Sequence, residues 1–112
     1  MSNEKPFELL VDILQPYADD MTVKHNTETN YYLEETQSSS KPQMFGAVQV
    51  KKSYTSFHLF PVYTNPDLLT DISDDLRKRM QGKSCFNFKA KEQVPVDELE
   101  ALVRAARESL PS

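Results

Sequence analysis

Glycine, cysteine and tryptophan are scarce in this chain, whose 112 residues include two glycines, one cysteine and no tryptophan. A single cysteine cannot form an internal disulfide, so the fold does not require an oxidising compartment. No apolar run approaches the length that spans a membrane, and the first ten residues lack the charged-then-apolar pattern of a signal peptide. We therefore expect a cytoplasmic protein with no membrane partner.

Motifs that carry chemistry are also missing from the sequence. There is no metal-ligand cluster and no recognisable pairing of a nucleophile with a base. The tripeptide Gly82-Lys83-Ser84 resembles the end of a phosphate-binding loop. That loop joins a strand to a helix, however, whereas here the order is helix, glycine, strand. The sequence therefore indicates no reaction, and we predict a non-enzymatic protein without a cofactor.

The length, composition and net charge indicate one folded domain that is not a general nucleic-acid binder. A chain of 112 residues is expected to form one domain, residues 1–112, with a single two-layer core. The hydrophobic fraction of 38% and the charged fraction of 27% are those of an ordinary folded protein. The net charge of −4 argues against general binding of nucleic acids, which need a basic surface.

The spacing of apolar residues predicts an α+β fold. Three- and four-residue intervals indicate an amphipathic helix from Phe7 to about Leu14, and a second from Pro95 to Leu110. Between them, alternating β-prone runs predict two hairpins, separated by a Ser-rich loop at 37–42. A further strand at 84–88 should join them. We expect an antiparallel sheet of about five strands, a four-strand meander plus one, with helices packed on one face.

The segment 53–88 holds most of the aromatic, basic and helix-breaking residues. It reads as a strand that continues to Tyr63, with Pro61 at an edge or a terminus of the strand because proline cannot donate to a ladder. Asn65 and Pro66 are then suited to open a helix, with Ser73 as a second possible start. Gly82 is suited to end that helix in a left-handed conformation, directly after a basic last turn.

The order of these features resembles the YdhG-like family of small bacterial proteins, known as domain of unknown function 1801. The resemblance is carried by the runs SFHLFPVYTNPDLL, LRKRMQGKSCFNF and PVDELEALV, which lie in the second half of the chain. It implies an α+β fold with an antiparallel sheet. Some relatives are frataxin-like iron chaperones that use acidic residues on a helix and a sheet edge, so the resemblance also implies iron as an alternative ligand.

The first candidate site is a pocket for a small anionic ligand. Basic side chains near Gly82 and on the turn before the histidine strand could converge there, beside backbone N–H groups of the strand start. A helix end with basic residues matched to the helix dipole explains part of the same pattern. The predicted ligand-binding residues are Lys52, Tyr54, His58, Arg77, Lys83, Ser84 and Cys85, with Lys51 and Lys78 nearby.

Two alternatives belong to other classes of function. Weak binding of iron through carboxylates would use Glu8, Asp12, Glu34 and Glu35. A scaffold or interaction protein would instead form a homodimer through a sheet edge or an aromatic face, because tyrosine is enriched at interfaces. The tyrosines available for such an interface are Tyr17, Tyr31, Tyr32 and Tyr63.

Overall fold

A computed structural model of the chain describes residues 6–36 and 41–110. Five strands form one antiparallel sheet in the order β1-β2-β3-β4-β5. The strands are β1 (Thr22–Asn26), β2 (Asn30–Glu35), β3 (Gln43–Val50), β4 (Thr55–Leu59) and β5 (Cys85–Phe88). The helices are α1 (Phe7–Leu14), α2 (Pro61–Thr64), α3 (Asp74–Arg77) and α4 (Val96–Glu108). The predicted α+β class and the antiparallel sheet of five strands, a four-strand meander plus one, are confirmed.

The core lies between one face of the sheet and the helices. Residues that pair directly across an antiparallel ladder point to the same face, so the row Leu33, Gly46 and Leu59 lies on one side. Leu14 of α1 packs on this side, because a Cβ on Gly46 would approach its side chain to 3.0 Å. Fully buried side chains of the core include Leu10, Leu14, Leu33, Phe57, Leu59, Phe86, Phe88, Leu99 and Val103.

The two terminal helices follow the predicted pattern. The first helix, α1, ends at Leu14, and a 3-10 turn, Gln15–Asp20, follows with Pro16 near its start, as expected from the missing N–H group of proline. The last helix, α4, buries Leu99, Leu102, Val103 and Ala106 along one stripe. None of the helices in the described residues is long and apolar enough to cross a membrane.

The prediction for the segment after β4 is wrong in two respects. The strand stops at Leu59, and Pro61 starts the short helix α2, where a residue without an N–H group fits the first turn. No continuous helix runs from Asn65 to Gly82, whereas the second predicted start is confirmed, because Ser73 is the N-cap of α3. Residues Pro66–Leu69 form a 3-10 turn, and α3 is a single turn that ends at Arg77.

A local cap at Ser73 and its contact with α4 accompany this interruption of the helix. Ser73 is extended, with ψ of 160°, and its hydroxyl accepts a hydrogen bond from the Leu76 N–H at 3.1 Å. The same hydroxyl donates to Glu98 of α4 at 2.7 Å. Gly82 has a φ of +85°, as predicted, but it turns the chain into β5 instead of capping a long helix. The local cap at Ser73, held by the hydrogen bond to Glu98, therefore starts a new helical turn at Asp74.

The two edges of the sheet differ. Beyond β5, the strip Arg79–Gln81 continues the pairing: Gln81 N–H donates to the Cys85 carbonyl at 2.8 Å, and Asn87 N–H donates to the Arg79 carbonyl at 2.7 Å. At the other edge, every residue of β1 is exposed, and its register with β2 shifts between Val23 and His25. The Ser-rich loop expected at 37–42 lies mostly outside the described residues.

Gly46 provides a test of the contact between α1 and the sheet. A side chain at this position would meet Leu14 Cδ2 at 3.0 Å and the His58 carbonyl oxygen at 3.2 Å. We expect Gly46→Val to lower the free energy of unfolding by about 1–3 kcal/mol through overpacking, measured by urea denaturation. Leu14→Ala should cost less in the Gly46→Val background than in the parent, because it removes the clashing group.

Gly82→Ala is the matched glycine control for this experiment. No atom lies within 4 Å of a Cβ built at Gly82, so its cost should come from the positive φ alone, about 1 kcal/mol. That cost should not change when Leu14 is replaced. Strictly additive effects of Gly46→Val and Leu14→Ala would contradict the proposed packing of α1.

Candidate anion-binding site

The face of the sheet opposite the helices is polar and holds the histidine strand. Direct pairing across the five strands places one row of side chains on this open face: His25, Tyr32, Ala47, His58 and Cys85. A neighbouring row contains Asn30, Gln49, Ser56 and Asn87. His58 and Cys85 are therefore direct neighbours, whereas Phe57 and Phe86 point from the same strands into the core.

Four polar side chains on β4 and β5 form a small cluster. The Cys85 thiol lies 4.0 Å from His58 Nε2, and it donates to Asn87 Oδ1 at 3.5 Å. The Ser56 hydroxyl donates to the same Asn87 oxygen at 3.1 Å. Ser56 is almost fully buried although it lies on the open face. The cluster therefore satisfies its own hydrogen bonds within the sheet.

Burial keeps both titratable members of this cluster neutral. The pKa of His58 is lowered from its ordinary value, first by burial and then by the nearby charge of Lys51. The pKa of the Cys85 thiol is raised by burial, against smaller lowering effects from Ser56 and Lys51. A nucleophilic cysteine needs the opposite change, a thiolate stabilised by a cationic histidine. The pair is therefore arranged as a neutral contact and not as an activated nucleophile.

Beside this cluster lies a group of cations that we call the basic cleft, formed by Lys51, Lys52, Lys78, Arg79 and Lys89 around Tyr54. Two cavities of about 150 and 230 Å³ make up the cleft, and both are lined by Tyr54 and Lys89. Asn87 lines the larger one, which connects the cleft to the polar cluster of the open face. No carboxylate among the described residues lines either cavity.

Three separate segments supply these cations. Lys51 and Lys52 belong to the turn between β3 and β4, which is closed by a hydrogen bond from the Lys51 N–H to the Tyr54 carbonyl at 2.8 Å. Lys89 directly follows β5, and the pairing of Thr55 with Phe88 brings it beside Tyr54. Lys78 directly follows α3, and Arg79 begins the strip that runs along the outer edge of β5.

No carboxylate of the described residues pairs with the cations of the basic cleft. Elsewhere, Lys24 pairs with Glu34 at 3.1 Å, and Arg107 pairs with Asp20 at 2.9 Å, which lowers the pKa of Asp20. Within the described ranges, none of the five cleft cations forms an ion pair. An acidic chain with a net charge of −4 thus carries a local positive field.

The predicted anion-site residues do not form one pocket. His58 and Cys85 lie on the open face, and Lys52 and Tyr54 line the basic cleft. Ser84 contributes its backbone carbonyl, which accepts a hydrogen bond from the Leu59 N–H at 2.9 Å. Two predicted cations, Arg77 and Lys83, line a different groove beside Tyr63.

Sequence reasoning missed Arg79 and Lys89 as members of the cleft. In the sequence, Arg79 falls in the predicted basic last turn of a helix, and Lys89 falls at the end of an alternating strand. The pairing of β5 with β4 sets Lys89 beside Tyr54. The pairing of the strip Arg79–Gln81 with the other side of β5 positions Arg79.

The four carboxylates predicted for iron also lie apart. Glu8 and Asp12 line a cavity of about 540 Å³ together with Glu28. Glu34 and Glu35 are neighbours on β2 and point to opposite faces, Glu34 toward Lys24 and Glu35 into a buried position. Over residues 6–36 and 41–110 there is no group of three or more side chains able to hold a metal ion.

The tyrosines predicted for an interface differ in their exposure and lie in different places. Tyr31 is 2% exposed and belongs to the core, where burial raises its pKa, so it is not available to a partner. Tyr17 is partly buried and packs against Phe45 with ring centroids 6.0 Å apart. Tyr32 lies edge-on to His25 at 5.7 Å on the open face, and Tyr63 is exposed.

Comparison of the chain with protein-family models, with curated proteins and with solved structures finds no match. The resemblance to the YdhG-like family therefore stays a prediction. Any function has to be argued from the residues and their geometry, because one fold can host many functions.

The state of His58 can be measured directly. In a pH titration followed by NMR, we expect its imidazole signals to report a pKa below the ordinary value of 6.5. Lys51→Gln should raise that pKa by removing a nearby positive charge, whereas Lys52→Gln should leave it unchanged. A His58 pKa at or above 6.5, or an equal response to both variants, would contradict the described environment.

The same shift has a consequence for stability. Because the pKa of His58 is lower in the folded protein, the unfolded chain binds this proton more tightly. Protonation therefore favours unfolding, and stability should decrease as the pH falls below about 6.5 until the folded-state pKa is reached. Urea denaturation of His58→Gln should show a smaller loss over this range than the parent protein does.

Proposed function

We propose that the protein is a non-enzymatic binding domain for a small, multiply charged anion with phosphate-like oxygens, held in the basic cleft. The observation that carries this proposal is the convergence around Tyr54 of five cations that form no ion pair with any residue the structure describes. Like charges at short range repel one another, so an anion that neutralises them would be bound favourably. Proteins normally separate or pair such charges unless a ligand supplies the opposite sign.

The types of donor in the cleft suit this class of ligand. Arg79 can offer two parallel N–H donors to a phosphate, and each lysine provides a compact charge with three donors. Tyr54, which is 37% exposed, can donate its hydroxyl where the two cavities meet. An organic group attached to the anion could also pack against the ring of Tyr54. A phosphate ester or diphosphate of modest size would use all of these features.

The dimensions and the remaining charge favour a small ligand over a nucleic acid. The cavities of about 150 and 230 Å³ are small compared with typical sites for organic ligands, which are roughly 300–1,000 Å³. A long polyanion would extend beyond the cleft toward a chain whose overall charge is −4. Salt also screens the attraction beyond about 10 Å at 0.1 M, so the positive field acts locally.

The neighbouring histidine and cysteine support binding without catalysis. A raised pKa keeps the Cys85 thiol protonated, and a lowered pKa keeps His58 without charge. Neither group is prepared for nucleophilic attack on a bound phosphate. We propose a cytoplasmic location for this role, in keeping with Cys85 as a free thiol.

Calorimetry with pyrophosphate tests the proposal. We expect saturable binding to the parent protein that weakens as salt is added, since the contacts are between charges. Lys89→Gln removes the cation shared by both cavities and should weaken binding about tenfold, because a hydrogen bond to a charged group contributes roughly 1.5–3 kcal/mol.

Arg104→Gln is the matched control. It makes the same change of charge on the exposed side of α4 and should leave the affinity within about twofold of the parent value. His58→Gln and Cys85→Ser should also bind pyrophosphate normally. The proposal fails if pyrophosphate gives no saturable signal, or if Arg104→Gln loses as much affinity as Lys89→Gln.

A further inference from the structure

A second concave surface lies on the other side of the segment that precedes β5. We call it the Tyr63 groove. Its volume is about 520 Å³, within the range typical of small-molecule sites. It shares one lining residue, Met80, with the larger cavity of the basic cleft, and none of its cations lines that cleft. The apolar lining residues are Val62, Tyr63, Pro66, Leu69 and Met80, and the remaining ones are Arg77, Gly82 and Lys83.

Tyr63 is the exposed wall of this groove. Its side chain is 51% exposed, more than the other large hydrophobic residues on the surface, Val23 and Tyr54. The position of the side chain is fixed, because its ring stacks on Phe60 with centroids 5.6 Å apart and an interplanar angle of 26°. A supported aromatic ring that faces solvent offers an apolar ligand a surface at little entropic cost.

Two cations stand at the rim of the groove in defined positions. The Arg77 guanidinium donates to the Leu69 carbonyl at 2.9 Å, which uses one of its five N–H donors. Lys83 Nζ lies 6.0 Å from the centre of the Tyr63 ring, at cation–π distance. Neither cation forms an ion pair with a described carboxylate, and no described carboxylate lines the groove.

We propose that the Tyr63 groove binds a monoanionic amphiphile, a carboxylate attached to an aliphatic or aromatic body. The apolar residues would cover the body of the ligand, and Arg77 and Lys83 would take its carboxylate. The groove combines an apolar lining with two cations, whereas five cations surround the basic cleft. We therefore expect the groove to prefer a ligand with one negative charge over a ligand with several. The volume of about 520 Å³ suits a small molecule.

The test is an NMR titration of the labelled protein with octanoate below its critical micelle concentration. We expect saturable shifts of the Tyr63 and Lys83 amides. Hexanoate should bind at least tenfold more weakly, since each buried methylene changes affinity about fourfold. Octanol should also bind more weakly, because it lacks the charge. Octanol binding as tightly as octanoate, or no shifts with octanoate, would overturn the proposal.

Variants separate the roles of the groove residues. Tyr63→Ser and Lys83→Gln both alter exposed side chains, so the fold should persist, and each should weaken octanoate binding several-fold. Arg77→Gln should do the same, and Arg104→Gln should not. Lys89→Gln should weaken binding of pyrophosphate and leave octanoate unaffected, which makes failure of this proposal distinguishable from failure of the basic cleft.

A competing occupant of the groove is a second copy of the chain. Sedimentation at two protein concentrations, with and without Tyr63→Ser, distinguishes the two. A monomer in both cases is the expected result. A dimer that Tyr63→Ser dissociates and octanoate does not displace would overturn the assignment to a small amphiphile.

Discussion

The antiparallel register between β4 and β5 is the constraint on which both sides of the sheet depend. It directs Phe57 and Phe86 into the core and leaves His58 and Cys85 side by side on the open face. The same register brings Lys89 beside the turn that carries Tyr54. A slip of one residue would exchange the two faces, burying the histidine and exposing the phenylalanines. Core packing therefore fixes the geometry of the candidate site indirectly, through residues that never touch a ligand.

Much of the fold could be predicted from local pattern. Alternation along β2 and β5, and the apolar stripes of α1 and α4, report directly which face of each element is buried. The segment after β4 could be predicted only in part, since Ser73 is a cap as expected but the helix that it starts is a single turn. Its helix signals at Asn65 and Ser73 are real, yet Ser73 is tied to Glu98 of α4, a contact between residues 25 positions apart. Propensity scales do not contain such contacts.

The candidate site could likewise be predicted only in part from the sequence. The basic residues were visible in the sequence, but their grouping depends on which strands are neighbours. Arg77 and Arg79 are two positions apart and line different cavities, because the chain leaves α3 and begins to pair with β5 between them. Lys83 and Cys85 lie close in sequence, yet one contacts Tyr63 and the other His58. The spacing of residues along a chain shows that they share a site only where they lie in the same helix or strand.

The unequal edges of the sheet have a consequence for self-assembly. The strip Arg79–Gln81 occupies the outer hydrogen-bonding groups of β5, so within the described residues the sheet can recruit another strand only beside β1. A molecule with one available edge can join a single neighbour about a two-fold axis, and the resulting ten-stranded sheet would have both ends closed. Edge-to-edge association of this protein would therefore stop at a pair and could not propagate into a fibril.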